Sequence, residues 1–136
     1  MNILFFLTPK SKIKCVESKM SVRQVLEIFE HYRYQVLPVI DENGCYIESI
    51  SEGDLLYFVK ENLNRDASFF GKINITKVPV YRKYYPVTIN EEMSDLYVTI
   101  LNQNFVPVLD DKNRFIGIVT RKSIIEHLYN NKNDED

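Results

Sequence analysis

The sequence predicts an α/β (α+β) fold made of two pseudo-symmetric β-α-β-β-α repeats packed sheet to sheet. Three observations lead there. A stretch of 21 residues is written twice, as QVLPVIDENGCYIESISEGDL at 35–55 and NFVPVLDDKNRFIGIVTRKSI at 104–124. A turn signal sits at the same place in each copy. Apolar residues at helical spacing precede and follow each copy. At the offset of 69 residues, Pro38/Pro107, Val39/Val108, Asp41/Asp110 and Ile47/Ile116 are identical. Leu37/Val106, Tyr46/Phe115, Ile50/Val119 and Ser51/Thr120 are like-for-like exchanges. A solenoid needs at least three copies, so two fit a pair of half-domains.

Each element follows in order. A short apolar stretch, Ile13–Val16 in the first copy and Val87–Ile89 in the second, offers an opening strand. A helix comes next. Ser21 suits its N-cap, and Val22, Val25, Leu26 and Phe29 fall on one face; Met93, Leu96, Tyr97 and Ile100 repeat that spacing. Strands follow at Val36–Ile40 and Phe105–Leu109, then turns DENG at 41–44 and DDKN at 110–113. Gly44 and Asn113 stand at equivalent places, and Gly and Asn best tolerate a left-handed backbone, so one turn geometry serves both. Second strands at Tyr46–Ser51 and Phe115–Thr120 lead into closing helices carrying Leu55, Leu56, Phe58 and Val59, then Ile124, Ile125 and Leu128. Neither small sheet buries both faces alone, which is why the copies are expected to pack together. The expected boundaries are repeat one at 7–62, a linker at 63–77, repeat two at 78–130 and a disordered polar tail at 131–136.

Composition narrows the function. A net charge of −2 gives no global field toward nucleic acid or anionic lipid. The stretch 71–89 holds Lys72, Lys77, Arg82 and Lys83 with Tyr81, Tyr84 and Tyr85, which is either a solvated linker, a single-strand nucleic-acid patch or a source of phosphate contacts. The acidic balance favours the linker, so nucleic acid is not expected as a partner. Cys15 and Cys45 stand 30 residues apart with no CxxC or Cys/His cluster, which argues against zinc and for reduced thiols in the cytoplasm. The apolar run Ile3–Leu7 is too short for a signal sequence, and nothing approaches the ~20 apolar residues of a membrane span. His31 and His127 are isolated, so neither a metal site nor a catalytic dyad is expected. His31, Tyr32, Arg33 and Tyr34 read as a helix C-terminus.

Each copy resembles the CBS domain, named from cystathionine β-synthase. The resemblance rests on PVIDENG at 38–44 and PVLDDKN at 107–113, then ESISEGD at 48–54 and GIVTRKS at 117–123. LTPK at 7–10 is similar to the segment preceding many such pairs. The resemblance implies two clefts between facing repeats, an adenine-bearing ligand such as AMP, ADP, ATP or S-adenosylmethionine, a homodimer, and regulation of an effector protein without catalysis or a required cofactor. A ligand-free dimerisation or adaptor protein is the alternative.

The proposed site has its own physical logic. Ser51 and Thr120 end strands that turn into helices, where free N–H groups and the positive dipole end suit phosphate. Three residues on, Asp54 is placed to accept from ribose hydroxyls; Ser123 stands there in the second copy. Cys15–Val16 with Val36, Leu37 and Pro38, and Val87–Thr88 with Phe105, Val106 and Pro107, are candidate adenine slots. Arg121 or Lys122 is placed to meet phosphate. Ser or Thr before a helix is equally an ordinary N-cap, and the two roles are compatible. Glu48 occupies the place of Gly117 and is expected to repel an anion, so the second site, with Gly117, Thr120 and Arg121, is the better candidate.

Overall fold

The computed structural model describes residues 2–134. In chain order the elements are β1 (Thr8–Pro9), β2 (Val16–Glu17), α1 (Val22–Tyr32), β3 (Val36–Ile40), β4 (Tyr46–Ser51), α2 (Glu52–Glu61), α3 (Ala67–Lys72), β5 (Val87–Thr88), α4 (Met93–Ile100), β6 (Phe105–Leu109), β7 (Phe115–Thr120) and α5 (Arg121–Asp134). The chain forms two compact units, residues 14–83 and residues 1–13 with 84–136.

The unit of residues 14–83 holds a three-stranded sheet ordered β2-β3-β4, with β2 parallel and β4 antiparallel to β3. Ser21 opens α1 with a reciprocal cap: its Oγ accepts from Gln24 N at 3.2 Å, and Gln24 Oε1 accepts from Ser21 N at 2.9 Å. Val22, Val25 and Phe29 bury against Val16, Leu37, Val39, Ile50, Leu55 and Phe58. Helix α1 ends at Arg33 in the left-handed region, φ 59°. Residues 63–77, expected as a linker, fold onto this core. Phe69, Phe70 and Ile73 pack against it and Ile75 is buried within it. Ile73 O accepts from Val22 N at 2.9 Å, and Ile75 N donates to Met20 O at 2.9 Å.

The second unit repeats the plan, with β5 parallel and β7 antiparallel to β6. It adds a fourth strand: β1 pairs antiparallel with β7, Thr8 opposite Ile118 and Pro9 opposite Gly117. Ile3 and Phe6, on the 3-10 turn Ile3–Phe6, join the core of Val87, Leu96, Ile100, Val106, Val108, Val119 and Ile124. The segment read as the head of repeat one therefore folds with repeat two. Helix α5 also corrects the expected tail, continuing as helix through residues 131–134. Asn131 Nδ2 lies 3.0 Å from His127 Nε2, one helical turn back, so these polar residues extend the helix. Residues 135–136 of that tail lie outside the described residues.

The hairpins match in detail. Asp41 Oδ1 accepts from Asn43 N at 2.8 Å and Cys45 N at 2.9 Å; Asp110 Oδ1 accepts from Lys112 N at 2.8 Å and Arg114 N at 2.9 Å. Gly44 at φ 81° and Asn113 at φ 63° take the left-handed position the repeat predicts. The register shifts at Val39/Ile40 and again at Val108/Leu109. The same aspartate thus organises the same bulged hairpin twice, which explains its identity in both copies.

Candidate functional site

Each repeat builds a strand-to-helix corner. In the first, β4 delivers Ser51 to the N-terminus of α2. Ser51 Oγ accepts from Asp54 N at 3.1 Å, and Asp54 Oδ2 accepts from Ser51 N at 2.9 Å. Asp54 is only 7% exposed, and its other oxygen, Oδ1, accepts from Tyr81 N at 3.1 Å. A buried carboxylate requires such donors, and here both are backbone amides. Glu48 lies one strand repeat before Ile50 on the same face of β4. Burial, and secondarily the charge of Asp54, raise its carboxyl above the ordinary value. Ser49, on the other face, is buried and 2.7 Å from Tyr46 OH.

In the second repeat, Thr120 Oγ1 accepts from Ser123 N at 3.1 Å, while Ser123 Oγ donates to Thr120 O at 2.8 Å. The cap is present, but no carboxylate completes it. Arg121 turns away toward the end of α4: its Nε donates to Ile100 O at 3.0 Å and one Nη to Leu101 O at 3.5 Å. The guanidinium thus caps orphan carbonyls. Lys122 is exposed and lies 4.0 Å from Glu126. Gly117 has a steric reason to be glycine. A Cβ there would lie 2.2 Å from Thr8 O and 2.8 Å from Leu7 Cδ1, so its bareness admits β1. Among the described residues no strand pairs with the free edge of β4, and Glu48 fits where Gly117 is required.

The candidate adenine residues divide along each sheet. Val36 stands opposite Ser51, and Phe105 opposite Thr120, so the start of each first strand lies beside its corner. Leu37 and Pro38, and Val106 and Pro107, follow along those strands and are buried. Val16 pairs with Val39, and Val87 and Thr88 pair with Val108 and Leu109, toward the far end of the strands. Three residues of strand separate them from the corners, roughly 10 Å. Cys15 immediately precedes Val16 and is partly buried.

Sequence reasoning missed Tyr81 and Gln103. Tyr81 acts through its main chain, which leaves no side-chain signal. Gln103, 4% exposed, accepts from Tyr85 N at 2.6 Å and donates to Tyr85 O and Phe105 O, both at 3.1 Å. It holds the 84–85 segment beside the start of β6, where the Tyr84 ring meets Phe105 at 4.9 Å. It stands between Asn102 and Asn104, so nothing in the sequence marks it out from its polar neighbours. Among the described residues, no group of three or more His, Cys, Asp or Glu gathers to hold a metal ion.

Comparison with known proteins now adds to this geometry. The CBS domain model matches residues 7–61 and again residues 78–130. The chain belongs to the CBS domain family. A CBS domain-containing protein of Dictyostelium discoideum is 35% identical over 102 residues, covering 68% of each chain. The 5'-AMP-activated protein kinase subunit gamma of Saccharomyces cerevisiae is 24% identical over 124 residues, covering 88% of this CBS chain but 38% of that protein. The chain therefore spans well under half of the yeast subunit. The crystal structure of CbpB in complex with c-di-AMP aligns with a TM-score of 0.85 at 22% identity, covering 100% of this chain and 91% of that one. At that identity the likeness establishes the CBS-pair fold. Among the described residues no helix is long and apolar enough to cross a membrane.

Proposed function

We propose that this CBS pair is a regulatory module that binds an adenine nucleotide at its strand-to-helix corners and performs no chemistry itself. The observation that carries the reading is the duplicated corner, a hydroxyl at the end of a strand capping the next helix at Ser51 and at Thr120. Helix N-terminal amides and a capping hydroxyl suit a phosphate or ribose oxygen. The relatives' names support the ligand class, one being a subunit of an AMP-activated kinase and one a c-di-AMP complex. The second corner is the better phosphate site, since Glu48 and Asp54 make the first corner acidic. Phe105 beside Thr120 and Val36 beside Ser51 are the nearest candidate contacts for adenine.

A bound ligand shifts the module's conformational population only by its difference in affinity between states, and an effector protein reads that shift. The module works as a homodimer in the cytoplasm. Ile125, Leu128 and Tyr129 on α5, and Leu56 and Tyr57 on α2, are exposed apolar positions suited to a second copy, and Cys15 and Cys45 are thiols. Calorimetric titration with AMP, ADP, ATP, c-di-AMP and S-adenosylmethionine tests the reading. At least one is expected to bind and to raise the Tm with its concentration; silence from all of them up to millimolar concentration sinks it. Leu128→Glu is expected to yield monomers by light scattering, and an unchanged mass refutes that interface.

A further inference from the structure

We infer that residues 78–83 form a strap over the first repeat's corner, closed by the Tyr81 amide on Asp54, which a ribose-bearing ligand must open in order to bind there. The inference rests on the nucleotide reading above. Asp54 is the carboxylate placed to accept ribose hydroxyls in that corner. Its Oδ2 belongs to the helix cap with Ser51, so Oδ1 is the oxygen left for a ligand. The Tyr81 N–H, 27 residues along the chain, holds that oxygen at 3.1 Å. It stands where a sugar hydroxyl would donate.

The strap is built to move at its tip. Its start is anchored, since Ile75 and Val78 are buried in the core of the unit. Beyond Val78 burial falls away: the Tyr81 side chain is 94% exposed, Pro79 and Arg82 are exposed, and Val80 is half-buried. The tie at Tyr81 thus comes from its main-chain amide, not from side-chain burial. The second repeat shows what a closed segment looks like. There Thr8–Pro9 is hydrogen-bonded along β7 because Gly117 admits it. In the first repeat β4 bears Glu48 at the place of Gly117, and among the described residues no strand pairs along its free edge. The second corner lacks the latch altogether, because Ser123 Oγ is turned onto Thr120 O.

Tyr81→Pro tests the strap, because it deletes the N–H while leaving Asp54 and Ser51 in place; Tyr81→Ala keeps the N–H. Losing a hydrogen bond that stabilises only the ligand-free form is expected to tighten AMP binding by about tenfold in Tyr81→Pro and to leave Tyr81→Ala unchanged. A 2′,3′-dideoxy AMP, lacking both hydroxyls, is expected to gain nothing. Hydrogen exchange in the unaltered protein provides a second measure that needs no variant. The Tyr81 amide is expected to exchange faster when AMP is saturating. AMP binding with equal affinity to both variants, or a Tyr81 amide equally protected with and without AMP, overturns the strap and leaves the nucleotide reading standing. No heat with any nucleotide in any of these proteins overturns both.

Discussion

Glu48 and Gly117 occupy one place in the repeat and show how a single side chain sets what lies against a strand. At Gly117 the backbone of Thr8 comes so close that a methyl group would meet its carbonyl oxygen at 2.2 Å. Gly117→Ala is therefore expected to cost about 1–3 kcal/mol in urea denaturation by forcing β1 off β7; an unchanged midpoint contradicts that packing. Glu48 carries its own signature. Its folded carboxyl holds a proton more tightly than the ordinary value of 4.5, chiefly through burial and then through Asp54. A raised folded pKa gives a stability contribution that is full below the unfolded value and lost as pH rises through the folded one. Glu48→Gln abolishes the titration, so its stability relative to wild type is expected to rise as pH rises from the ordinary carboxyl value through the raised folded one. A gap that stays constant with pH rules out the shift. Arg33 closes α1 at φ 59°, where glycine has no steric penalty, so Arg33→Gly is expected to stabilise by roughly 0.5–1 kcal/mol in the same assay.

The elements legible in the sequence are those whose causes are local. A turn aspartate, a left-handed Gly or Asn and apolar spacing all act within a few residues, so both hairpins are legible at Asp41, Gly44, Asp110 and Asn113, and the four repeat helices in their apolar spacing, with Ser21 capping the first. The helix caps were equally open to reading, because Ser51 and Thr120 bond three residues ahead. What stayed hidden depends on partners far along the chain. The sequence offers Arg121 or Lys122 for a phosphate, and the guanidinium of Arg121 reaches the carbonyls ending α4, about 20 residues back. Residues 63–77 looked polar in bulk, yet Phe69, Phe70, Ile73 and Ile75 sufficed to bind them to the core. Thr120→Ala separates the two roles of a capping hydroxyl. It is expected to cost about 1 kcal/mol through the lost cap on α5, and to weaken nucleotide binding in the folded variant. Affinity equal to wild type leaves Thr120 as a cap alone.

At the scale of the whole molecule, chain order and structural order diverge. One unit is the continuous segment 14–83, while the other joins residues 1–13 to residues 84–136. Each has its own core: Val16, Val39 and Ile50 lie in the first, Ile3, Val108 and Val119 in the second. The opening segment contributes to its unit in two ways, a strand on β7 and the buried side chains of Ile3 and Phe6. Phe6 also meets the His127 ring edge-on at 5.0 Å, which ties the segment to α5. None of these contacts is available until β7 and α5 exist, so the second core closes only by a long-range return of the chain start. Truncating Phe6 attacks that closure directly. Phe6→Ala is expected to cost about 3–5 kcal/mol, the usual range for emptying a buried aromatic site. The loss belongs to one unit: hydrogen exchange should accelerate through residues 84–134 and remain near wild type in 14–83. Uniform acceleration across both segments would show that the two cores open together, and acceleration confined to 14–83 would contradict the assignment of the opening segment to the second repeat.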